Sequence, residues 1–296
     1  MWGLNHRYKT LTQAMNDDGQ RILDYSIQRV RELTEEADFT FIERRPSRCH
    51  IGFGTYGWRY QQDVITLAQK HGCLIDTAEG YGYGKVEECL GRMLTEQAEV
   101  ATKVRRDHMS PEALQNSVKR SREKLGVIPH IQLHFPHDQY PLAILNLAML
   151  RSRGYVKSIG LGNCSVDMIE WSQRLLSDWT GDSIRSVQVR YNLMDRRIED
   201  VLLPYCQERG ILVLAYSPLG QDFRTLTRPA LESIAEKHGS SLTAVALAWI
   251  LSHPGVMPIP RTNSPSHLLE NLQAETLELD EDDLTQLDRV YPPSPI

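Results

Sequence analysis

Four side chains that can take part in acid–base chemistry lie where consecutive apolar runs of the sequence end. Asp76 ends one run, and Tyr81 follows it five residues later in a glycine-rich stretch. Lys103 ends the next run, and His134 ends the one after it. Each has an ordinary structural explanation, such as a lysine paired with an aspartate or a histidine bonded within the core. Their shared position predicts a joint site, where a phenol or an imidazole could move a proton to or from a substrate oxygen.

Eight short apolar runs alternate with amphipathic segments from residue 49 onward, and they lack a polar alternating face, as strands buried on both sides do. The predicted strands span 49–54, 73–78, 100–104, 130–135, 158–163, 186–192, 211–217 and 256–260. The predicted helices span 61–71, 84–95, 111–125, 141–153, 166–176, 198–209, 227–238 and 264–273. This alternation indicates an α/β fold, and its length fits a single-domain (β/α)8 TIM barrel of about 250 residues. Catalytic residues of such barrels lie at the carboxyl ends of the strands, which is where the four side chains are placed.

An open doubly wound sheet is the alternative fold. The segment GFGTYG (52–57) matches the GxGxxG motif of dinucleotide-binding folds, and Asp76 follows at about the distance of their ribose-binding acid. That motif runs directly into its helix, whereas Trp58 and the residues 59–62 separate the last glycine from the first apolar helical position. The chain also shows no linker between two halves, so the closed barrel is favoured.

Two sequence signals predict where helices begin. Ser110-Pro111-Glu112 combines a capping residue, a proline for the first turn and an early acid, so it predicts the start of the helix at 111. The acidic run LDEDD (279–283) is interpreted as the first turn of a final helix, where carboxylates interact favourably with the helix dipole, rather than as a calcium loop.

Composition and charge exclude several classes of protein. The chain has 296 residues and a formal net charge of −5, without a basic excess that would recruit nucleic acid. Its longest apolar stretch, 242–251, is too short to span a bilayer, and the N-terminus lacks the apolar core of a signal peptide. Five scattered cysteines indicate no disulfide framework, and no histidine or cysteine spacing matches a metal site. We expect a cytoplasmic protein that binds neither membrane nor metal.

Residues 1–45 precede the barrel, which is assigned to residues 46–296. Apolar residues recur at helical spacing between positions 18 and 37, so this N-terminal extension is predicted to be helical. It could pack across the bottom of the barrel, or it could form a homo-oligomer or partner contact. The sequence leaves both alternatives open.

Six segments in register resemble the aldo-keto reductases. IDTAEGYGYGKVEECLGRML (75–94) is similar to that family's DTAxxYGxGxxE signature. Further similar segments follow in the family's order: ATKV (101–104), QLHFPH (132–137), GLGNCS (160–165), QVRYNL (188–193), AYSPLGQ (215–221) and PIPRTNSPSHLLENLQA (258–274). The resemblance covers the whole chain from residue 49 and implies a (β/α)8 barrel.

The resemblance implies a catalytic tetrad that reduces an aldehyde or ketone by hydride transfer from C4 of a nicotinamide; its members are Asp76, Tyr81, Lys103 and His134. Tyr81 would donate the proton to the forming alkoxide. A free tyrosine has a pKa of about 10, so we expect Lys103 to favour the phenolate and lower the pKa of Tyr81. Asp76 would hold Lys103 and partly offset its buried charge. His134 would hydrogen-bond the carbonyl oxygen or shape the proton path.

The same resemblance implies NADPH as the cofactor, with NADH possible. Tyr216 would stack on the nicotinamide, while Asn163 and Gln188 would hold its carboxamide. The remaining expected contacts are Gly54, Thr55, Asp76, Ser217, Leu219, Gln221, Arg261, Thr262, Ser264, His267, Glu270 and Asn271. Within that set, the loop residues 261, 262 and 264 would approach the 2′-phosphate. Two positions depart from the family pattern: Gly162 replaces a usual serine, and His267 replaces a usual arginine or glutamine, which weakens the preference for NADPH.

The substrate pocket is predicted from residues near the strand ends: Trp58, Tyr83, Phe135, His137, Tyr191 and Asn192. Short loops after strands four and seven predict an open site that admits a bulky or extended carbonyl compound. Two alternative functions remain at this point. One is an alcohol or sugar dehydrogenase that works in the oxidative direction, and the other is a non-enzymatic NADPH-binding regulatory subunit.

Overall fold

The computed structural model describes residues 49–137, 139–220 and 229–293. The N-terminal extension 1–45 lies outside the described residues, together with its predicted helix and its proposed partner contact. Gln221, predicted to bind cofactor, also lies outside them.

Eight parallel strands form one sheet in which each strand pairs with the next along the chain. The strands are β1 (Phe53–Gly54), β2 (Ile75–Asp76), β3 (Val100–Val104), β4 (His130–Leu133), β5 (Ser158–Gly162), β6 (Ile184–Arg190), β7 (Leu212–Tyr216) and β8 (Val256–Pro258). The sheet closes on itself, because Gly52 N donates to Pro258 O and Gly54 N donates to Pro260 O, each at 2.9 Å. The predicted (β/α)8 barrel is confirmed.

Helices follow the strands and cover the outside of the barrel. They are α1 (Gln62–Lys70), α2 (Lys85–Gly91), α3 (Pro111–Leu125), α4 (Tyr140–Ser152), α5 (Val166–Thr180), α6 (Leu202–Glu208), α7 (Pro229–Lys237), α8 (Leu242–Leu251), α9 (Pro265–Gln273) and α10 (Glu281–Val290). The start signal at Ser110 is confirmed, and α3 ends at Gly126, whose φ of 70° is readily adopted by glycine. Two short 3-10 turns, Tyr81–Gly84 and Arg106–His108, follow β2 and β3.

Helix α8 was not predicted, because its sequence LTAVALAWIL is apolar throughout and carries no helical period. Residues 244–250 are all buried, so the helix packs on every side rather than along one stripe. Its start is marked by Ser241, whose hydroxyl accepts from Ala244 N at 3.1 Å.

The acidic run 279–283 begins helix α10, as predicted. Asp280 accepts from Asp283 N at 2.9 Å, and the Asp283 carboxylate accepts in return from Asp280 N, which forms a capping box. Lys237 of α7 donates to both carboxylates, at 2.6 and 2.8 Å. The last helix is therefore fixed to its neighbour.

Several polar side chains lie in the interior of the barrel, in contrast to the apolar faces of the strands that contact the helices. Gln188 on β6 donates to Asp76 on β2 at 2.7 Å, although these strands are not neighbours, so this contact crosses the interior. Nearer the amino ends of the strands, His130 lies 2.7 Å from the hydroxyls of both Ser158 and Ser186. Such hydrogen bonds offset much of the free-energy cost of burying polar side chains at this depth.

A close crossing between α2 and α3 depends on Gly91. A Cβ at this position would lie 1.6 Å from Lys124 O, a backbone atom that cannot rotate away. We expect Gly91→Ala to lower the free energy of unfolding by about 2 kcal/mol or more, since the helices would have to separate. Gly80→Ala is the matched control, because its Cβ would meet the Arg105 side chain at an ordinary 3.5 Å. Urea denaturation followed by circular dichroism measures both, and equal stabilities of the two variants would contradict this account.

Candidate active site

A fully buried ion pair lies at the carboxyl ends of β2 and β3. Lys103 Nζ donates to both oxygens of Asp76, at 2.7 and 2.8 Å, and to Thr77 O at 2.7 Å. Its side chain has no exposed surface, and that of Asp76 is 4% exposed. Three acceptors satisfy the three N–H bonds of the ammonium, which offsets much of the cost of burying it. Burial lowers the pKa of Lys103, and the charge of Asp76 opposes that shift.

Gln188 holds the other side of this pair. Its Nε2 donates to the same Asp76 Oδ1 that accepts from Lys103, and its side chain is buried. Sequence reasoning placed Gln188 against a cofactor amide and missed this contact, because a bond across a barrel leaves no local pattern in the sequence. The carboxylate of Asp76 is thereby fixed by a charge on one side and an amide on the other.

Tyr81 begins the 3-10 turn after β2 and lies beside the ion pair. Lys103 Nζ is 5.2 Å from the centre of its ring, and the His134 ring centre is 6.0 Å away. Tyr56 packs edge-on against Tyr81, with ring centres 5.2 Å apart. The structure therefore brings all four predicted catalytic side chains to one end of the barrel.

The pKa of Tyr81 differs from our expectation. Burial of the phenol, followed by the negative charge of Asp76, raises this pKa far above its usual value. The prediction that Lys103 lowers it was wrong for this structure. Burial of the ring and the nearby Asp76 carboxylate, with which the Lys103 ammonium is paired, both disfavour the phenolate.

His134 is neutral in this environment. Burial and the nearby positive charge of Lys103 lower its pKa to about 4. Its ring stacks on Phe135, with centres 4.7 Å apart and planes inclined by 16°. A neutral imidazole at this place can exchange a hydrogen bond with a substrate oxygen without adding a charge.

The predicted nicotinamide site is a set of mutually bonded side chains at the ends of β5 and β7. Tyr216 donates its hydroxyl to Asn163 Oδ1 at 2.9 Å, and Asn163 Nδ2 donates to His134 O at 3.1 Å. Asn163 and Ser217 have φ values of 56° and 51°, which non-glycine residues rarely adopt and which are common at functional sites. At Gly162, the position that departs from the family pattern, the backbone lies close to β4, and a Cβ there would be 2.5 Å from His134 O.

The loop after β8 contains the predicted phosphate contacts. Arg261 is exposed and donates to Gly57 O at 3.2 Å, which links this loop to the one after β1. Thr262 accepts from Ser264 N at 3.1 Å, and the Ser264 hydroxyl lies 2.8 Å from that of Ser266. Three further predicted contacts lie in α9, where His267 is exposed, Glu270 is half-buried and Asn271 is buried.

The other predicted cofactor residues lie at the ends of β1 and β7. Thr55 is fully buried and its hydroxyl donates to Asp76 O at 2.9 Å. Gly54 lies against the backbone of the segment after β8, where a Cβ would be 2.9 Å from Ile259 O. Ser217 accepts from Asn192 Nδ2 at 2.9 Å, and Leu219 packs partly buried against the core.

Several predicted pocket residues do not line the mouth of the barrel. Trp58 is only 3% exposed and packs on Phe53, so it belongs to the core. Tyr191 is fully buried and donates to Glu199 at 2.7 Å. These assignments were wrong because proximity to a strand end does not determine the direction of a side chain.

Asn192, also predicted for the pocket, is buried as well. Tyr83 and His137, two other predicted pocket residues, are not buried. Asn192 is buried and accepts from Met194 N and Asp195 N, each at 2.9 Å. Tyr83 is fully exposed and projects into solvent. His137 Nδ1 accepts from Gln139 N at 3.1 Å.

The exposed aromatic side chains around Tyr81 and His134 include two that the sequence analysis did not name. Phe135, which it did name, is 44% exposed. Tyr56 is 73% exposed and contacts Tyr81, and Tyr60 is 39% exposed and packs edge-on against Trp58. The aromatic-rich segment TYGWRY (55–60) was the available signal for both tyrosines.

The residues at this mouth fit a nicotinamide dinucleotide. The half-buried Tyr216 at the end of β7 offers an aromatic face. The amides of Asn163 and Gln188 lie at the carboxyl ends of the two preceding strands, β5 and β6. Arg261 supplies a fixed positive charge in the loop after β8, a region that binds phosphate in many barrels. Together these groups provide an aromatic surface, amide hydrogen bonds and a charge for phosphate.

Comparison with known proteins agrees with the geometry. The model of the aldo/keto reductase family matches residues 50–292. This chain belongs to the aldo/keto reductase family. The predicted family membership is thereby confirmed, on a match that spans the whole barrel.

The relatives that this chain resembles include two methylglyoxal reductases. Methylglyoxal reductase YeaE of Escherichia coli is 32% identical, over 74% of this chain and 80% of the relative. The NADH-specific methylglyoxal reductase of E. coli is 28% identical, over 79% of this chain and 92% of the relative. A crystal structure of an aldo-keto reductase from Klebsiella pneumoniae in complex with NADPH superposes with a TM-score of 0.76, at 30% identity over 83% of this chain and 92% of the other.

Two further observations concern the described part of this aldo/keto reductase. None of its described helices is long and apolar enough to cross a membrane. Within the same residues, no group of three or more histidine, cysteine, aspartate or glutamate side chains is arranged to hold a metal ion.

The low pKa of His134 is testable by NMR. In Lys103→Met the nearby positive charge is lost, so the imidazolium becomes less unfavourable and the pKa should rise from about 4. It should remain below the usual value of about 6.5, because burial is the larger cause and is retained. Lys157→Met is the matched control, since Lys157 pairs with Glu99 just before the amino end of β3. Titration of labelled histidine rings measures the pKa, and an unchanged value in Lys103→Met would refute the assigned cause.

Proposed function

We propose that this protein reduces an aldehyde or a ketone to the alcohol with NADPH or NADH, and that Tyr81 is the proton donor. The observation that carries this proposal is the position of a protonated phenol between a buried lysine–aspartate pair and a neutral histidine. Membership of the aldo/keto reductase family and the two E. coli methylglyoxal reductases support carbonyl reduction.

The cofactor proposal rests on the residues at the mouth of the barrel. A bound nicotinamide would supply a hydride from its C4 carbon. Tyr216 would pack on its ring, with Asn163 and Gln188 at its carboxamide, and Arg261 at the 2′-phosphate of NADPH. The remaining proposed contacts are Gly54, Thr55, Ser217, Leu219, Thr262, Ser264, His267, Glu270 and Asn271. The NADPH complex of the Klebsiella relative favours NADPH, while the NADH-specific E. coli relative supports NADH as an alternative.

The catalytic residues then have distinct roles. The carbonyl oxygen of the substrate would lie between Tyr81 and His134, and the neutral imidazole would orient it by a hydrogen bond. As negative charge develops on that oxygen, Tyr81 transfers its proton to it. The ammonium of Lys103 stabilises the resulting phenolate, and Asp76 keeps the ammonium in place. Gln188 fixes the orientation of the Asp76 carboxylate.

Tyr81 is protonated before substrate binds. A phenol whose pKa lies well above its usual value is protonated at neutral pH, so it begins the cycle as a donor. The oxidative direction requires the phenolate as base, and in this structure burial and Asp76 both oppose that form.

The substrate is proposed to be an aldehyde or ketone that the open mouth admits, from methylglyoxal, which two relatives are named for, to a bulkier aromatic aldehyde. Phe135 and Tyr56 present exposed aromatic faces next to His134 and Tyr81. Apolar and aromatic walls of this kind bind substrates with an apolar body.

Tyr81→Phe tests the proton donor. Loss of the hydroxyl should lower kcat by about 100-fold or more, because a general acid contributes at least that factor. Cofactor affinity, measured by fluorescence titration, should stay near that of the wild type. Tyr83→Phe is the matched control, since the same atom is removed two residues away from a fully exposed ring. Assays with methylglyoxal and benzaldehyde measure kcat, and near-wild-type turnover by Tyr81→Phe would overturn the assignment.

Arg261→Ala tests the phosphate contact. Because the guanidinium is proposed to bind the 2′-phosphate, its loss should raise the KM for NADPH by about tenfold or more, the cost of one charge-assisted hydrogen bond. NADH lacks that phosphate, so its KM is the internal control and should change little. Initial rates at varied cofactor concentration measure both values. Equal changes in the two KM values would contradict the assignment.

A further inference from the structure

Glu79 connects the segment that carries Tyr81 to the end of strand β3. Its backbone N donates to Lys103 O at 3.3 Å, and its side-chain Oε1 accepts from Arg105 N at 2.7 Å. The side chain is 8% exposed, so the carboxylate is held rather than free in solvent. Both contacts are to backbone atoms, which fixes the distance between the two segments.

Other groups hold the carboxylate of Glu79 in this position. His108 Nδ1, in the second 3-10 turn, lies 3.0 Å from Oε1, and Ser117 Oγ of α3 lies 2.9 Å from the same His108 nitrogen. Arg120 of α3 lies 3.8 Å from Oε2. The carboxylate therefore joins the Tyr81 segment to β3, to the turn after it and to α3.

Tyr81 follows Glu79 by two residues, and the chain between them is short and tightly bonded. Upstream, Thr77 N donates to Ala101 O at 2.8 Å, and Thr77 O accepts from Lys103 Nζ. Tyr81 N donates to Ala78 O at 3.0 Å. Downstream, Lys124 donates to Gly84 O at 3.2 Å. Tyr81 is thus held between an anchor at Gly84 and a series of contacts to β3.

We propose that Glu79 is a positioning residue, which sets the place of the Tyr81 phenol relative to Lys103 and the substrate through its hydrogen bond to Arg105 N. The proposal rests on the proposed function, since Tyr81 is its proton donor. Glu79 itself touches neither Tyr81 nor the substrate site. The length of the Glu79 side chain, which allows it to reach Arg105 N, sets the position of Tyr81, and the negative charge of Glu79 is secondary.

The surroundings of Glu79 should allow a shorter side chain at this position without unfolding the protein. Glu79 lines a polar cavity of about 290 Å³, together with Arg105, His108, Arg120 and Lys124. A shorter side chain would leave Arg105 N facing space that water can enter, rather than an apolar void. The cost should therefore appear in the geometry of the Tyr81 segment more than in global stability.

Two substitutions separate reach from charge. Glu79→Gln keeps the length and a carbonyl oxygen that can accept from Arg105 N, but loses the charge. Glu79→Asp keeps the charge but is one methylene shorter. Because a displacement of about 1 Å at a catalytic group can cost about 100-fold, we expect Glu79→Asp to lower kcat by about tenfold or more. Glu79→Gln should retain at least about threefold more activity than Glu79→Asp, since the bond to Arg105 N is kept.

The Glu79 substitutions should lower kcat and leave the affinity for the cofactor nearly unchanged. The Kd for NADPH, from fluorescence titration, should change by less than about twofold in either variant, because the cofactor residues are untouched. Glu99→Ala is the control, since it removes an ion pair with Lys157 just before the amino end of the same strand β3. Its kcat should match that of the wild type.

A second readout does not depend on turnover. The ring resonance of Tyr81, assigned by its loss in Tyr81→Phe, should shift in Glu79→Asp and stay closer to wild type in Glu79→Gln. If the wild type reduces no carbonyl compound, the proposed function fails while this resonance still decides the role of Glu79. The proposal is overturned if Glu79→Asp keeps kcat and the Tyr81 resonance of the wild type, or if Glu79→Gln loses as much as Glu79→Asp.

Discussion

The buried ammonium of Lys103 is the constraint on which the rest of this site depends. A positive charge without exposed surface is stable only when its protons are accepted, and here Asp76 and Thr77 O accept all three. These acceptors lie at the end of the neighbouring strand β2, so the register between β2 and β3 must bring them together. Gln188 then reaches across the barrel to the same carboxylate, which ties the register of β6 to the same point.

Once this pair is formed, its charges add to the effect of burial on the protonation of the groups around it. Burial, followed by the charge of the ammonium, lowers the pKa of His134, and burial, followed by the charge of Asp76, raises the pKa of Tyr81. The neutral His134 can hydrogen-bond the substrate oxygen, and the protonated Tyr81 beside the Lys103 ammonium can donate a proton to the developing alkoxide. The contacts of Glu79 to β3 then place the phenol, so the electrostatics and the geometry of the site arise from the same two strands.

The order of strands and helices could be predicted because buried parallel strands and amphipathic helices have distinct patterns. Helix α8 could not, since a helix buried on all sides has no period. The four tetrad side chains were found from strand ends, but strand ends also suggested Tyr191, which faces the core. The direction of the Tyr81 pKa shift depends on how deeply the phenol is buried and on its distance from the Asp76 charge, which only coordinates reveal. The role of Glu79 could not be predicted from the sequence, because its partner is the backbone N of Arg105, and a backbone atom leaves no sequence pattern.

The most direct test of the central claim follows the hydride to the product. The purified protein is incubated with NADPH that carries deuterium at one of the two C4 positions, in separate reactions, with benzaldehyde or methylglyoxal as acceptor. Mass spectrometry of the alcohol then reports the transfer. We predict one deuterium on the carbinol carbon from one of the two labelled cofactors and none from the other. An absence of labelled alcohol from both, with the cofactor bound, would contradict the assignment of this mouth as a site of carbonyl reduction.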